Sequence, residues 1–243
     1  MITAAQIKLI RSLVRKKERD ESGLFVVEGE KMVEEALRSG WTVESVFREE
    51  EIGPKAMERI SLLSSPSPVL ALVRKPAGIA TSSVPGPGLY LALDGIRDPG
   101  NLGTILRIAD WFGIDGVYAS PDTVDLFNPK VVQATMGAIF RVPFHETPIP
   151  AFCKAVLAAG GHVYGTFLDG ENFYRKELSN GESAPAVIVI GNEANGISKE
   201  TAACVSDRLF IPPYPADDPG SESLNAAIAT AITVAEFRRR KSL

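Results

Sequence analysis

The sequence predicts an α/β protein: a mostly parallel sheet covered by helices, preceded by a smaller α/β domain. Three observations lead there. Short, wholly apolar runs recur at residues 89–93 (LYLAL), 116–120 (GVYAS), 162–167 (HVYGTF), 186–190 (AVIVI) and 208–211 (RLFI), as expected of strands buried on both faces. Helical patterns fill the gaps between them. The stretch TSSVPGPGL, residues 81–89, reads as a linker between two regions of different grammar, which places domains at 1–84 and 85–243.

Taken in order, the first domain reads as a helix at 4–17, a strand LFVVE, a helix from Gly29 to Ser39, a strand from Val43 to Phe47, a helix from Pro54 to Leu63 and a strand PVLALV. In the second, helices are expected at Leu102–Phe112, Pro129–Ala138, Ala151–Ala159, Ser198–Val205 and Ser223–Arg240. The last carries a stripe of Leu224, Ile228 and Ile232 beside a smooth face of Ala227, Ala231 and Ala235. A smooth alanine face lets another helix approach closely, inside the domain or across a dimer interface.

Composition narrows the function. With 45% hydrophobic residues over 243 positions, the chain supports a sizeable core. No apolar stretch reaches the ~18 residues of a membrane span, and the basic start lacks the apolar block and cleavage site of a secretory signal, so the cytoplasm is the expected location. Cys153 and Cys204, with only His145 and His162 beside them, assemble no zinc spacing, so no metal is expected and both thiols read as buried and inert. Net charge is −4, divided as +1 over residues 1–84 and −5 over 85–243. Lys8, Arg11, Arg15, Lys16, Lys17 and Arg19 crowd positive charge near the start. That run is either a solvated helix face or a nucleic-acid contact.

In open parallel sheets, ligands gather at loops beyond the carboxyl ends of strands. RDPGNLGTILR, residues 97–107, follows the first apolar strand but lacks the G-x-G pair of a dinucleotide fingerprint. GNEANGIS, residues 191–198, matches G-x-x-x-x-G but has Ile197 where a phosphate loop needs lysine, and Glu193 adds a carboxylate. It suits a neutral or cationic ligand. IPPYPADDPGSESLN, residues 211–225, is stiffened by prolines and made acidic by Asp217 and Asp218; Ser221 or Ser223 is the expected cap of the final helix.

These stretches, in this order, resemble the SpoU (TrmH-like) branch of the SPOUT superfamily of RNA ribose 2′-O-methyltransferases. The resemblance rests on N-x-G-x-x-x-R at Asn101, Gly103 and Arg107, G-x-E-x-x-G at Gly191, Glu193 and Gly196, and I-P followed by S-L-N at Ile211, Pro212, Ser223, Leu224 and Asn225. The third motif departs from the family pattern through a loop some four residues longer. The first 84 residues resemble the ribosomal-protein-like substrate-binding domain that many members carry.

The resemblance implies a SPOUT fold with a C-terminal trefoil knot, S-adenosylmethionine as cofactor, RNA (ribosomal or transfer) as substrate, and a homodimer. It implies catalytic roles for Arg107, Asn101, Glu193, Ser223 and Asn225, and cofactor contacts at Gly191, Ile211, Leu224, Thr166 and Gly196. The six basic residues from Lys8 to Arg19 become candidate RNA contacts. Plainer readings stand beside these: Arg107 as an ion-pair partner of Asp110, Asn101 as a helix cap and Glu193 as a solvated carboxylate. So do two other functions, a non-catalytic RNA-binding paralogue and a nucleotide-dependent oxidoreductase.

Overall fold

The computed structural model describes residues 2–76, 85–179, 181–215 and 222–241. The elements of the first part are α1 (Ala4–Ser12), α2 (Lys16–Ser22), β1 (Leu24–Glu28), α3 (Glu30–Arg38), β2 (Val43–Arg48), α4 (Glu49–Ile52), α5 (Pro54–Ile60) and β3 (Val69–Arg74). Then come β4 (Gly88–Asp94), α6 (Pro99–Trp111), β5 (Gly116–Ala119), α7 (Pro129–Thr135), β6 (Phe144–Glu146) and α8 (Ile149–Ala158). The chain ends with β7 (His162–Asn172), β8 (Pro185–Gly191), α9 (Lys199–Ala202), β9 (Asp207–Phe210) and α10 (Ala226–Lys241).

Two compact units result: Met1–Ala77 with Asp125–Arg141, and Gly78–Val124 with Val142–Leu243. The sequence reading had placed residues 125–141 in the second domain, but they pack into the first unit. Part of the expected linker, residues 81–84, lies outside the described residues.

In the first unit, β3 lies between β1 and β2 and runs antiparallel to both. Ile10, Leu13, Val26, Met57, Ile60, Leu70 and Leu72 form its core. The single helix expected at 4–17 is two, because the Arg19 guanidinium donates to the carbonyls of Leu13 (2.7 Å) and Val14 (2.8 Å) and so closes α1. The segment from Asp125 joins this unit through aromatic contacts: Phe127 lies 4.8 Å from Phe25, and Phe140 meets Trp41 edge-on at 5.3 Å.

The second unit is a six-stranded sheet in the order β6-β5-β4-β8-β7-β9, with every described pairing parallel. Central strands β4 and β8 are buried almost throughout, as the apolar runs require. Tyr90, Ala92, Val187 and Val189 face a cluster that includes Phe152, Cys153 and Val156 of α8. Alternate residues point the other way, where α10 packs on β8 and α6. Both cysteines are free and buried, and burial pushes the Cys153 thiol up to about 12, which leaves it unreactive. Among the described residues no helix is long and apolar enough to cross a membrane, and no cluster could hold a metal ion.

Candidate active site

The ends of β4, β8, β7 and β9 lie side by side and carry the three motifs. In the first, α6 begins at Pro99. Its cap is Asp98, whose Oδ1 accepts from the Asn101 N–H at 2.8 Å, while Pro99 fills the first helical position, where a missing N–H costs nothing. This corrects the reading of Asn101 as the cap. It also settles what the glycine-rich stretch can hold, because a carboxylate already occupies the positive end of the helix.

Asn101 sits inside the first turn, 9% exposed, and its side chain reaches across the sheet ends. Its Nδ2 donates to Glu193 Oε1 at 2.8 Å, and its Oδ1 accepts from Asn225 Nδ2 at 2.9 Å. One side chain thus joins all three motifs.

The directions of these bonds are forced. Asn225 caps α10, its Oδ1 accepting from the backbone N–H groups of Ala227 (3.0 Å) and Ile228 (3.2 Å). Backbone N–H groups only donate, so the Asn225 Nδ2 must face Asn101, whose Nδ2 must then face an acceptor. Glu193 supplies it. This also corrects the expected cap: Ser223 is exposed and takes no part, and Ser221, with Asp217 and Asp218, lies outside the described residues.

The motif-two loop is tight. Asn192 and Gly196 exchange backbone hydrogen bonds at 2.9 Å in both directions, and Gly196 adopts φ +67°, a conformation glycine takes without strain. A side chain at Gly191 would run into the backbone of Gly196 and Ile197. Asp94, at the end of β4, accepts from the Ser198 N–H at 2.7 Å and ties the loop's far end to the sheet. Thr166 donates to the Val189 carbonyl at 3.3 Å, Ile211 follows β9 directly, and Leu224 is 48% exposed beside Asn225.

Arg107 stands apart from the array. It is exposed and makes no hydrogen bond or ion pair among the described residues, the expected alternative with Asp110 included. Six positions after Asn101, it lies about 120° around α6 and about 9 Å further along. Sequence reasoning missed Asp98 and Asp94; the D-P pair at 98–99 was the available signal for the first.

The basic run is mostly committed within the first unit. Arg19 is 2% exposed, bonded to Asp125 at 2.5 Å and to two carbonyls, so it is withdrawn as an RNA contact. Arg15, Lys16 and Lys17 pair with Glu18, Asp20 and Glu21 along α2, and Arg11 donates to the Ser61 carbonyl. Lys8 is exposed and has no such partner among the described residues.

Comparison with known proteins identifies the family. The chain is 30% identical over 249 residues to the 23S rRNA (guanosine(2553)-2′-O)-methyltransferase RlmP of Bacillus subtilis, covering 96% of each. A TrmH-family structure from Porphyromonas gingivalis superposes with a TM-score of 0.87 at 40% identity over 99% of both chains. An AdoMet-bound rRNA methyltransferase from Sinorhizobium meliloti superposes at 0.85, with 32% identity over 99% of this chain and 96% of that one. Residues 4–73 match the MRM3-like substrate binding domain. Residues 88–235, more than half of the sequence and all three motifs, match the SpoU rRNA methylase family, and the chain belongs to that family.

Proposed function

We propose that the protein transfers a methyl group from S-adenosylmethionine to a ribose 2′-hydroxyl of RNA, with ribosomal RNA the substrate its relatives favour. The observation that carries this reading is the Asn225–Asn101–Glu193 chain, which brings the three motifs to one place. Its completeness speaks against a non-catalytic paralogue. Neither loop carries a dinucleotide fingerprint, and an oxidoreductase has no support.

The motif-two loop fits the cofactor's chemistry. It has no lysine, it carries the Glu193 carboxylate, and Gly191 leaves no space for a side chain against Gly196. A sulfonium is cationic and carries no phosphate, so an acidic loop costs it nothing. Gly191, Gly196, Thr166, Ile211 and Leu224 would hold the cofactor, which supplies the methyl group. Asn101, Glu193 and Asn225 keep the three loops in register, and Ser223 lies at the edge of that array. Arg107 would bind the phosphate beside the target ribose and stabilise the developing alkoxide; a guanidinium stays protonated and donates.

The N-terminal unit would bind RNA through Lys8, Arg11, Arg15, Lys16 and Lys17. The helical ion pairs of Arg15, Lys16 and Lys17 are worth only about 0.3–0.5 kcal/mol each, so phosphates can displace them. A homodimer is supported by Ile228, half-exposed on α10 with Ile232 on the same stripe, and by Leu224, half-exposed just before that helix. The trefoil knot is supported by the strand order and by α10 lying back against α6. The cytoplasm is the location proposed, in line with the bacterial relative from Bacillus subtilis.

Methyl incorporation into RNA by wild type and Arg107→Ala tests the reading. The variant is expected to lose roughly 10²–10³ in kcat, with its affinity for S-adenosylhomocysteine unchanged. Its thermal midpoint should hold, because exposed sites without partners usually change stability by less than about 0.5 kcal/mol. Absence of S-adenosylhomocysteine binding to the wild type by calorimetry would overturn the proposal.

A further inference from the structure

Asn192, between Gly191 and Glu193, has a side chain as fully engaged as that of Asn101. Its Oδ1 accepts from the N–H groups of Ala194 (2.9 Å) and Asn195 (3.1 Å). Those donors fix the orientation of the amide, so Nδ2 points the other way. There it donates to the Gly95 carbonyl at 2.7 Å and lies 3.4 Å from Glu193 Oε2. Gly95 is itself anchored, its N–H donating to Ser120 Oγ at 2.9 Å.

We propose that Asn192 is a positioning residue for Glu193. Asn101 holds one carboxylate oxygen of an otherwise exposed side chain, and a single bond leaves that carboxylate free to swing. Asn192 restricts it in two ways. It ties the base of the loop to the end of β4 through Gly95, and it faces the second carboxylate oxygen. Because Asn192 takes the Ala194 and Asn195 N–H groups, the loop also has no free amides there for a phosphate, which separates it from a nucleotide cradle. That Glu193 matters to methyl transfer rests on the functional reading above; that Asn192 holds it in place does not.

Asn192→Ser tests the proposal without adding charge. A hydroxyl still accepts from the turn N–H groups, so the loop keeps its shape, but it is too short to reach Gly95. Expected results are a thermal midpoint near wild type, kcat for RNA methylation lowered at least tenfold, and KM for RNA within about threefold. The double variant Asn192→Ser/Glu193→Gln should be no slower than Glu193→Gln alone, since both changes act through one carboxylate. Independent of activity, the Asn101 side-chain NH₂ resonances should shift in Asn192→Ser. A kcat within twofold of wild type, losses that multiply in the double variant, or unmoved Asn101 resonances would each overturn the proposal. If the wild type neither methylates RNA nor binds S-adenosylhomocysteine, the functional reading fails, and the Asn101 resonances still decide the role of Asn192.

Discussion

Asn101 is held between a donor and an acceptor that it cannot exchange. Asn225 presents N–H to its oxygen and Glu193 presents oxygen to its nitrogen, so an aspartate there would satisfy the first and collide with the second. Asn101→Asp is expected to cost about 1–3 kcal/mol at pH 7, the range for leaving a buried polar group opposed. Two carboxylates sharing one site raise each other's pKa in the folded state. A group raised on folding contributes its stability below the unfolded value and loses it as pH rises through the folded value. The deficit against wild type should therefore shrink between pH 7 and about pH 4.5; urea midpoints at the two pH values measure it, and a constant deficit would refute the like-charge origin. Two arginines show the same dependence on surroundings. Arg19 is 2% exposed with all its bonds inside the first unit, while Arg107 is exposed and unpaired among the described residues. Charge density along the sequence ranked Arg19 with the RNA contacts, because burial depends on Asp125, more than a hundred residues away.

At the scale of elements, β4, β5 and β8 were legible because strands covered on both faces read as unbroken apolar runs, whereas β9, at one edge of the sheet with only Leu209 buried, was marked by the short run Leu209–Phe210–Ile211. β6 was not. It has three residues, none of them buried, at the sheet edge, and so carries no periodic signal. The helix ends were misread for a related reason: Asn101 and Ser223 have cap-forming side chains, but Asp98 and Asn225 hold the positions where the backbone N–H groups point. The far end of α10 shows another device that local sequence conceals. Arg238 donates to the Phe112 carbonyl at 2.8 Å and to that of Gly113 just past α6, while Arg240 donates to the carbonyls of Phe173 (2.8 Å) and Lys176. Glu236, 6% exposed, lies under Arg239 and Arg240. The Arg239 guanidinium foremost, with Arg240, holds its carboxyl down to about 2 despite burial. A carboxylate depressed on folding contributes stability above its unfolded pKa and loses it as pH falls toward the folded value. Glu236→Gln should thus cost about 1–2 kcal/mol at pH 7, after allowance for the exposed Arg239. The gap from wild type should close as pH drops from about 4.5 to about 2. Denaturant titrations across that window check it, and a gap that stayed constant would exclude the ion pair as its source.

At the scale of the whole molecule, the proline- and glycine-rich stretch before β4 marks a place to cut the chain, yet cutting there does not separate the two units. Asp125–Arg141 lies beyond the cut and belongs to the first unit. In that unit Phe127 is 3% exposed, Val131 0%, Val132 1% and Phe140 9%, Asp125 pairs with Arg19, and Arg141 pairs with Glu35. A fragment of residues 85–243 would carry these side chains without β1, α2 or α3 to cover them. Each apolar side chain loses roughly 1.5–3 kcal/mol of burial, so the four together rival the total stability of a typical domain, about 5–15 kcal/mol. The fragment is expected to bind a hydrophobic dye, to self-associate beyond a dimer in sedimentation, and to lose amide dispersion for residues 125–141. The strands β4 to β9 should keep theirs, since their core is internal to the second unit. The complementary fragment 1–84 should expose Phe25 and Trp41, which face Phe127 and Phe140. Mixing or co-expressing the two pieces should restore dispersion to residues 125–141. A dispersed, dye-silent 85–243 fragment no larger than a dimer would show instead that the segment folds without the first unit and that the boundary read from composition is the physical one.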